Sequence, residues 1–278
     1  MPCPWSGAAM APAHELRQPA PARRLTAWLR CYDVRPQARI RLICFPHAGG
    51  MASFYKAWPG DFGERIEVQS LQYPGHEDRL GEQPICQMSQ LADLASEAVA
   101  QVMDRPVALF GHSLGAVVAY EVARRLARIE PSQLACLFVS GRQAPGFHRH
   151  QAKHLADDKT LWAELRRLGG TDSFILDHPG WRSILLPILR SDYRLDETYA
   201  HHPVPRLSCP VVAFIGDRDP EADISEVIGW SDVTSARFEL RAFSGDHFYL
   251  IPHRRAVTST VADHLGLSGP ARRESPGW

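Results

Sequence analysis

At 278 residues, with 45% hydrophobic and 22% charged side chains, the chain has a globular composition and room for a sizeable core. Its 31 basic and 31 acidic residues leave a formal net charge of 0, which excludes a general field for nucleic acid or anionic lipid. No apolar stretch reaches bilayer-spanning or signal-peptide length, so a cytoplasmic protein with no membrane and no nucleic-acid partner is expected.

Residues 1–24 are rich in Pro and Ala and read as a disordered amino-terminal extension, in which Met10 is an alternative start. The β-branched and aromatic run "RIRLICFP" at 39–46 predicts a strand that stops at "HAGG". A second strand is predicted at 66–73, closed by Pro74 and Gly75. A helix follows at 88–103, with Leu91, Leu94, Ala95, Ala98 and Val102 on one stripe. The strand at 107–110 leads into a helix at 114–128, where Leu114, Val117, Val118, Val122 and Leu126 share a face. Arg124, Arg125 and Arg128 gather near its carboxyl end, where cations suit the helix dipole. Further strands are expected at 134–140, 211–216 and 238–243, and a last helix at 254–265.

Nearly continuous apolar strands separated by helices indicate an α/β fold, with a mostly parallel central sheet and helices on both faces. The stretch at about 148–201 breaks this rhythm with "KTLWAELRRLGG" and "WRSILLPILRSDYRLDETY", two amphipathic helical segments. As an insertion between core strands, it is placed to roof the carboxyl edge of the sheet as a helical lid. One domain over 25–265 and a flexible tail over 266–278 complete the expected organisation. No sustained coiled-coil pattern is present, and a monomer is the default expectation. The six cysteines, Cys3, Cys31, Cys44, Cys86, Cys136 and Cys209, form no close CxxC pair, and three lie in strand-like apolar runs. A reducing compartment and no disulfide framework are expected.

"GHSLG", residues 111–115, fits the G-x-S-x-G nucleophile elbow in its required setting of strand, turn and helix. Glycines flank the corner because a side chain there would crowd the turn or the neighbouring strand. Ser113 is the candidate nucleophile, and the competing view makes it a simple helix cap. A serine hydroxyl needs a base, and the base needs an orienting partner. His247 in "FSGDHFYLIP" is the candidate base, and Asp219 in "FIGDRDP" the candidate acid, preferred because Asp217 follows the strand so closely that it is placed to brace the turn; Asp217 stays as the alternative. The order serine, aspartate, histidine is that of an α/β-hydrolase. The backbone amides of Leu114 and of Ala48 in "FPHAGG" are the expected oxyanion donors. His47 and His112 read as supporting groups. His148, His150 and His154 in "FHRHQAKH" lack a carboxylate or cysteine set, so no metal is expected.

The motifs "ICFPHAGG" with "FYKAW", "LQYPGHEDRL", "ALFGHSLGAVVAYEVARRL", "LFVSGRQAP", "LPILRSDYRLDETY" and "GDHFYL" together resemble the type II thioesterases of nonribosomal peptide and polyketide synthesis. The resemblance spans about 39–265. It implies an α/β-hydrolase with a lid at 148–201, and a stand-alone editing enzyme that removes stalled or wrongly primed acyl and aminoacyl groups from carrier domains. Its partners would be acyl or peptidyl carrier domains, whose own phosphopantetheine arm presents the thioester, so no separate cofactor is implied. The family's catalytic residues map to Ser113, Asp219 and His247, and its oxyanion amides to Ala48 and Leu114. Three positions depart from the family pattern: His76 replaces the usual arginine, Leu114 a common methionine and Ser191 a usual alanine. Trp162, Phe174, Leu185 and Leu189 are expected either to hold acyl ends or to bury the lid, and for Trp181 and Tyr199 both roles stay open. The competing functions are a carboxylesterase or lipase, an acyltransferase or cyclase, and a non-catalytic carrier-binding protein.

Overall fold

The computed structural model describes residues 27–147, 152–178, 180–202 and 204–267. The expected extension and most of the expected tail lie outside them. Seven strands build one sheet: β1 Leu29–Cys31, β2 Ile40–Phe45, β3 Ile66–Leu71, β4 Val107–His112, β5 Leu134–Ser140, β6 Val211–Gly216 and β7 Phe238–Phe243. Their order is β1-β3-β2-β4-β5-β6-β7, parallel throughout except for β1, which runs antiparallel to β3 at one edge. The expected strands appear within a few residues of their predicted bounds. β1 was not expected: three half-buried residues carry too little pattern to be read as a strand.

Helices α1 Met88–Ala100 and α2 Leu114–Ile129 follow β3 and β4, and α7 Arg254–His264 follows β7. Strand side chains alternate between two cores. Ile43, Leu109, Leu137 and Ala213 join α1 and α2 in one; Leu42, Phe110, Phe138 and Phe214 join α7 in the other. Phe138 lies 6.5 Å from Phe110 and 6.0 Å from Phe214, so neighbouring strands are tied ring to ring across that face. Burying each such ring contributes about 1.5–3 kcal/mol. Near the end of α2, Arg125 binds Asp93 of α1 and Glu121, so this cation ties two helices besides facing the dipole.

Between β5 and β6 the insertion forms α3 Asp158–Leu168, α4 Ser173–Asp177 and α5 Gly180–Glu197. The Asp157 carboxylate caps α3 by accepting the Thr160 N–H, and Gly169, at φ 80°, ends it in the left-handed conformation. Leu161, Trp162, Leu165, Leu176, Leu185, Leu189 and Tyr193 give the insertion its own small core, against which Ala48, Met51 and Trp181 pack. A short α6, Ile224–Val227, follows β6 behind an Asp223 capping box. Among the described residues, Cys31, Cys44, Cys136 and Cys209 are free thiols. Among the described residues no helix is long and apolar enough to cross a membrane.

Candidate active site

The carboxyl ends of β2, β4, β6 and β7 converge on one corner. The turn after β4 is too crowded for side chains at its glycines. A Cβ on Gly111 would stand 2.1 Å from the Gly115 carbonyl oxygen, and one on Gly115 would stand 2.1 Å from that of Phe45. Between them Ser113 adopts φ 55°, ψ −121°, a conformation that costs a non-glycine residue about 1–3 kcal/mol. The corner is held by the Ser113 N–H, which donates to the Ser140 carbonyl at 2.8 Å. The Ser113 side chain makes no capping hydrogen bond to α2, which removes the helix-cap view of this residue. Leu114 is the first residue of α2, where backbone N–H groups have no acceptor within the helix.

Ser113, Ala48 and His247 line one cavity of about 70 Å³, walled on the insertion side by Tyr193 and Lys153. His247 and Asp219 are both buried, and the His247 Nδ1 lies 2.9 Å from each carboxylate oxygen of Asp219. With Nδ1 so engaged, Nε2 is the nitrogen left for proton transfer. Asp219 also accepts the Glu221 N–H at 2.8 Å, which fixes the carboxylate. Asp217, by contrast, accepts the Gly245 N–H at 2.8 Å and braces the turn before His247. Gly216 makes this approach possible, since a Cβ there would lie 2.3 Å from the Asp246 carbonyl.

In the loop after β2, Gly49 takes φ 72° and Gly50 donates to the His47 carbonyl at 2.8 Å. His47 is buried among Phe54, Phe248 and His112, and burial, with positive charge on His247 and His76 adding to it, pushes its pKa down to about 3. His112 is likewise held well below the usual imidazole range, first by burial. Its ring lies 4.9 Å from that of His247, and its Nδ1 pairs with Ser140 Oγ at 3.0 Å, which in turn meets Tyr249 OH at 2.6 Å. Both histidines are therefore neutral neighbours of His247 at pH 7, placed to pack around it.

Several residues that tie the corner together were not singled out from the sequence. Asp192, inside "LPILRSDYRLDETY", accepts the Gly49 N–H at 2.7 Å and faces His76 Nε2 at 2.9 Å. Ser140 and Tyr249 position His112 but carry no local signal of that role. Among the expected lid residues, Leu185 and Leu189 line a second, apolar cavity of about 160 Å³ beside the Gly49 loop. Trp162 is buried in the insertion's core, and Phe174 is 73% exposed, so the structure does not bring it to either cavity. Trp181 packs against the insertion's core; Tyr199 donates to Glu121 at 2.8 Å and lines the Ser113 cavity. His148 and His150 lie outside the described residues, and His154 pairs with Glu197. Among the described residues no three His, Cys, Asp or Glu side chains are grouped to hold a metal ion.

A mostly parallel sheet with helices on both faces, a strained Ser corner after a central strand, and a buried Asp–His pair beyond later strands define an α/β-hydrolase. The Thioesterase domain family matches residues 40–265. The chain is 41% identical to Thioesterase PikA5 of Streptomyces venezuelae over 86% of its own length and 85% of the relative's. It is 35% identical to the gramicidin S biosynthesis protein GrsT of Aneurinibacillus migulanus, over 88% of its own length and 96% of the relative's. The structure of the type II thioesterase BorB from the borrelidin biosynthetic cluster superposes with a TM-score of 0.79 at 41% identity, covering 86% of this chain and 98% of that one. The chain therefore belongs to the thioesterase family, in its type II branch of nonribosomal peptide and polyketide biosynthesis.

Proposed function

We propose that the protein is an editing hydrolase that clears acyl and aminoacyl thioesters from the phosphopantetheine arm of carrier domains, with Ser113 as nucleophile. Ser113 Oγ attacks the thioester carbonyl carbon while its proton passes to His247 Nε2, and Asp219 steadies the imidazolium that forms. The Ala48 and Leu114 amides receive the developing oxyanion, a role in which each donor is worth about 3 kcal/mol of barrier. Collapse breaks the carbon–sulfur bond, and His247 returns the proton to the leaving thiol. Water then attacks the Ser113 ester, giving its proton to His247, and the free acid leaves with the serine restored.

The observation that carries this reading is the buried His247–Asp219 pair on the cavity that Ser113 lines, within a chain similar to type II thioesterases along most of its length. The insertion serves as the lid. Tyr193 of α5 walls the Ser113 cavity from the insertion side, which places α5 over the entering substrate. Carrier-loaded acetyl and aminoacyl thioesters, set beside the corresponding free esters, test the proposal. Faster release from carrier is expected; preferential turnover of the free esters would make the protein a general esterase instead.

A further inference from the structure

His76 lies in the loop after β3 and is 1% exposed, yet both of its ring nitrogens face acceptors. Nδ1 is 3.0 Å from the Pro74 carbonyl oxygen, and Nε2 is 2.9 Å from Asp192 Oδ2. The carbonyl has no proton to offer, and Asp192 Oδ2 already accepts the Gly49 N–H at 2.7 Å. A neutral imidazole carries one N–H and one lone pair, so it would leave one contact with lone pair against lone pair. Only an imidazolium donates at both ends.

The groups that face this ring come from every element around it. Asp192 reaches it from α5, Arg79 from the turn at 77–79, Tyr73 from the loop just after β3 with its ring 5.7 Å away, and His47 from the loop after β2. Burial opposes the charge and Arg79 repels it, but Asp192 and the Pro74 carbonyl prevail, so the imidazole holds its proton above the usual range. Asp192 is itself buried, and its carboxylate joins three separate parts of the fold: the Gly49 loop, the His76 loop and the insertion helix α5.

We infer that His76 is a positioning residue: as an imidazolium it pins Asp192, and through Asp192 the Gly49 N–H, so that the adjoining Ala48 amide stays aimed into the Ser113 cavity. The inference rests on the reading of Ala48 as an oxyanion donor. When His76 loses its second proton as pH rises, one of its two donated bonds disappears and the loop loosens. An oxyanion donor acts in the transition state, so the loss falls on kcat rather than KM.

Two measurements test this. The first is the pH dependence of kcat and KM on an acyl-pantetheine thioester, from about pH 6 to about pH 10, for the natural protein, His76→Arg and His76→Gln. The natural protein is expected to lose kcat on the alkaline side at nearly constant KM. His76→Arg, whose cation does not titrate there, abolishes that fall, and His76→Gln lowers kcat about 10–100-fold at neutral pH with no alkaline fall of its own. An alkaline limb unchanged in His76→Arg overturns the inference, as does full kcat in His76→Gln. The second measurement, ¹⁵N spectra of the histidine rings in the unsubstituted protein, decides the matter if the arginine variant does not fold. Two protonated nitrogens on His76 at neutral pH support the clamp, and a neutral tautomer refutes it. Absence of thioester turnover in the natural protein strikes the proposed function instead, so the two failures are distinct.

Discussion

At the sheet edge, Ser113, Asp219 and His247 ride on turns where backbone presses on backbone. Gly111, Gly115 and Gly216 leave no room for a single added carbon, and Asp217 pins the turn that carries His247. In the insertion, α3–α5 share a small apolar core of their own, and are tied to the rest of the fold by Leu168 and Leu195, which join the two cores flanking the sheet, by Ala48 and Met51, and by polar contacts such as Asp192 to Gly49. The first region fixes its turns backbone against backbone; the second is joined to the sheet through side chains. The tightest backbone contacts therefore lie where proton transfer is proposed.

Substitutions at paired positions sharpen this contrast. The largest effect is expected at the two aspartates after β6. Asp219→Asn removes the charge that orients His247 and is expected to lower kcat about 10⁴-fold with little change in fold, whereas Asp217→Asn keeps an acceptor for the Gly245 N–H and leaves kcat nearly unchanged. The reverse order, read from single-turnover rates, would move the acid to Asp217. Gly115→Ala drives a methyl against the Phe45 carbonyl and is expected to destabilise the fold by about 3 kcal/mol in urea unfolding. A tolerated alanine would show that the corner is less rigid than its contacts indicate.

The histidines break the comparison along another line, that of charge. His47 and His112 stay neutral in the fold, with pKa values below the unfolded value of about 6.5, so stability is full above that pH and falls as pH drops below it. The fall approaches about 1.4 kcal/mol per pH unit for each site, and for His47 it continues towards pH of about 3. His76 has the opposite sign: its raised value adds stability that is present below about pH 6.5 and is lost as pH rises through the folded-state value. Unfolding at a series of pH values, repeated with His47→Asn, is expected to show a shallower acid fall in the variant. The smallest effect belongs to the insertion's outer face. Phe174→Ala, at an exposed site, is expected to change stability by no more than about 0.5 kcal/mol.

Most strands and helices were legible because hydrophobic period and turn residues are local signals. The corner at 111–115 was legible for the same reason, since strand, glycines, serine and helix are consecutive. Asp219 could be ranked above Asp217 only by its distance from the strand end, and the contacts that separate them, one to His247 and one to Gly245, arise only on folding. Asp192 was invisible as a partner of Gly49 because 143 residues separate them. The same holds for the chain His112–Ser140–Tyr249. Phe174 misled because an apolar residue on a short helix signals burial, and here the helix turns that face outward. His76 was noticed only as a substitution for arginine; its two acceptors, one from its own loop and one from α5, appear only on folding.

The most direct measurement is covalent labelling of the purified protein with a fluorophosphonate, followed by peptide mass mapping and carrier-thioester hydrolysis on the same sample. The expected result is a single adduct on the peptide bearing Ser113, with hydrolysis lost in proportion to labelling. Hydrolysis that survives complete modification of Ser113 would contradict the account.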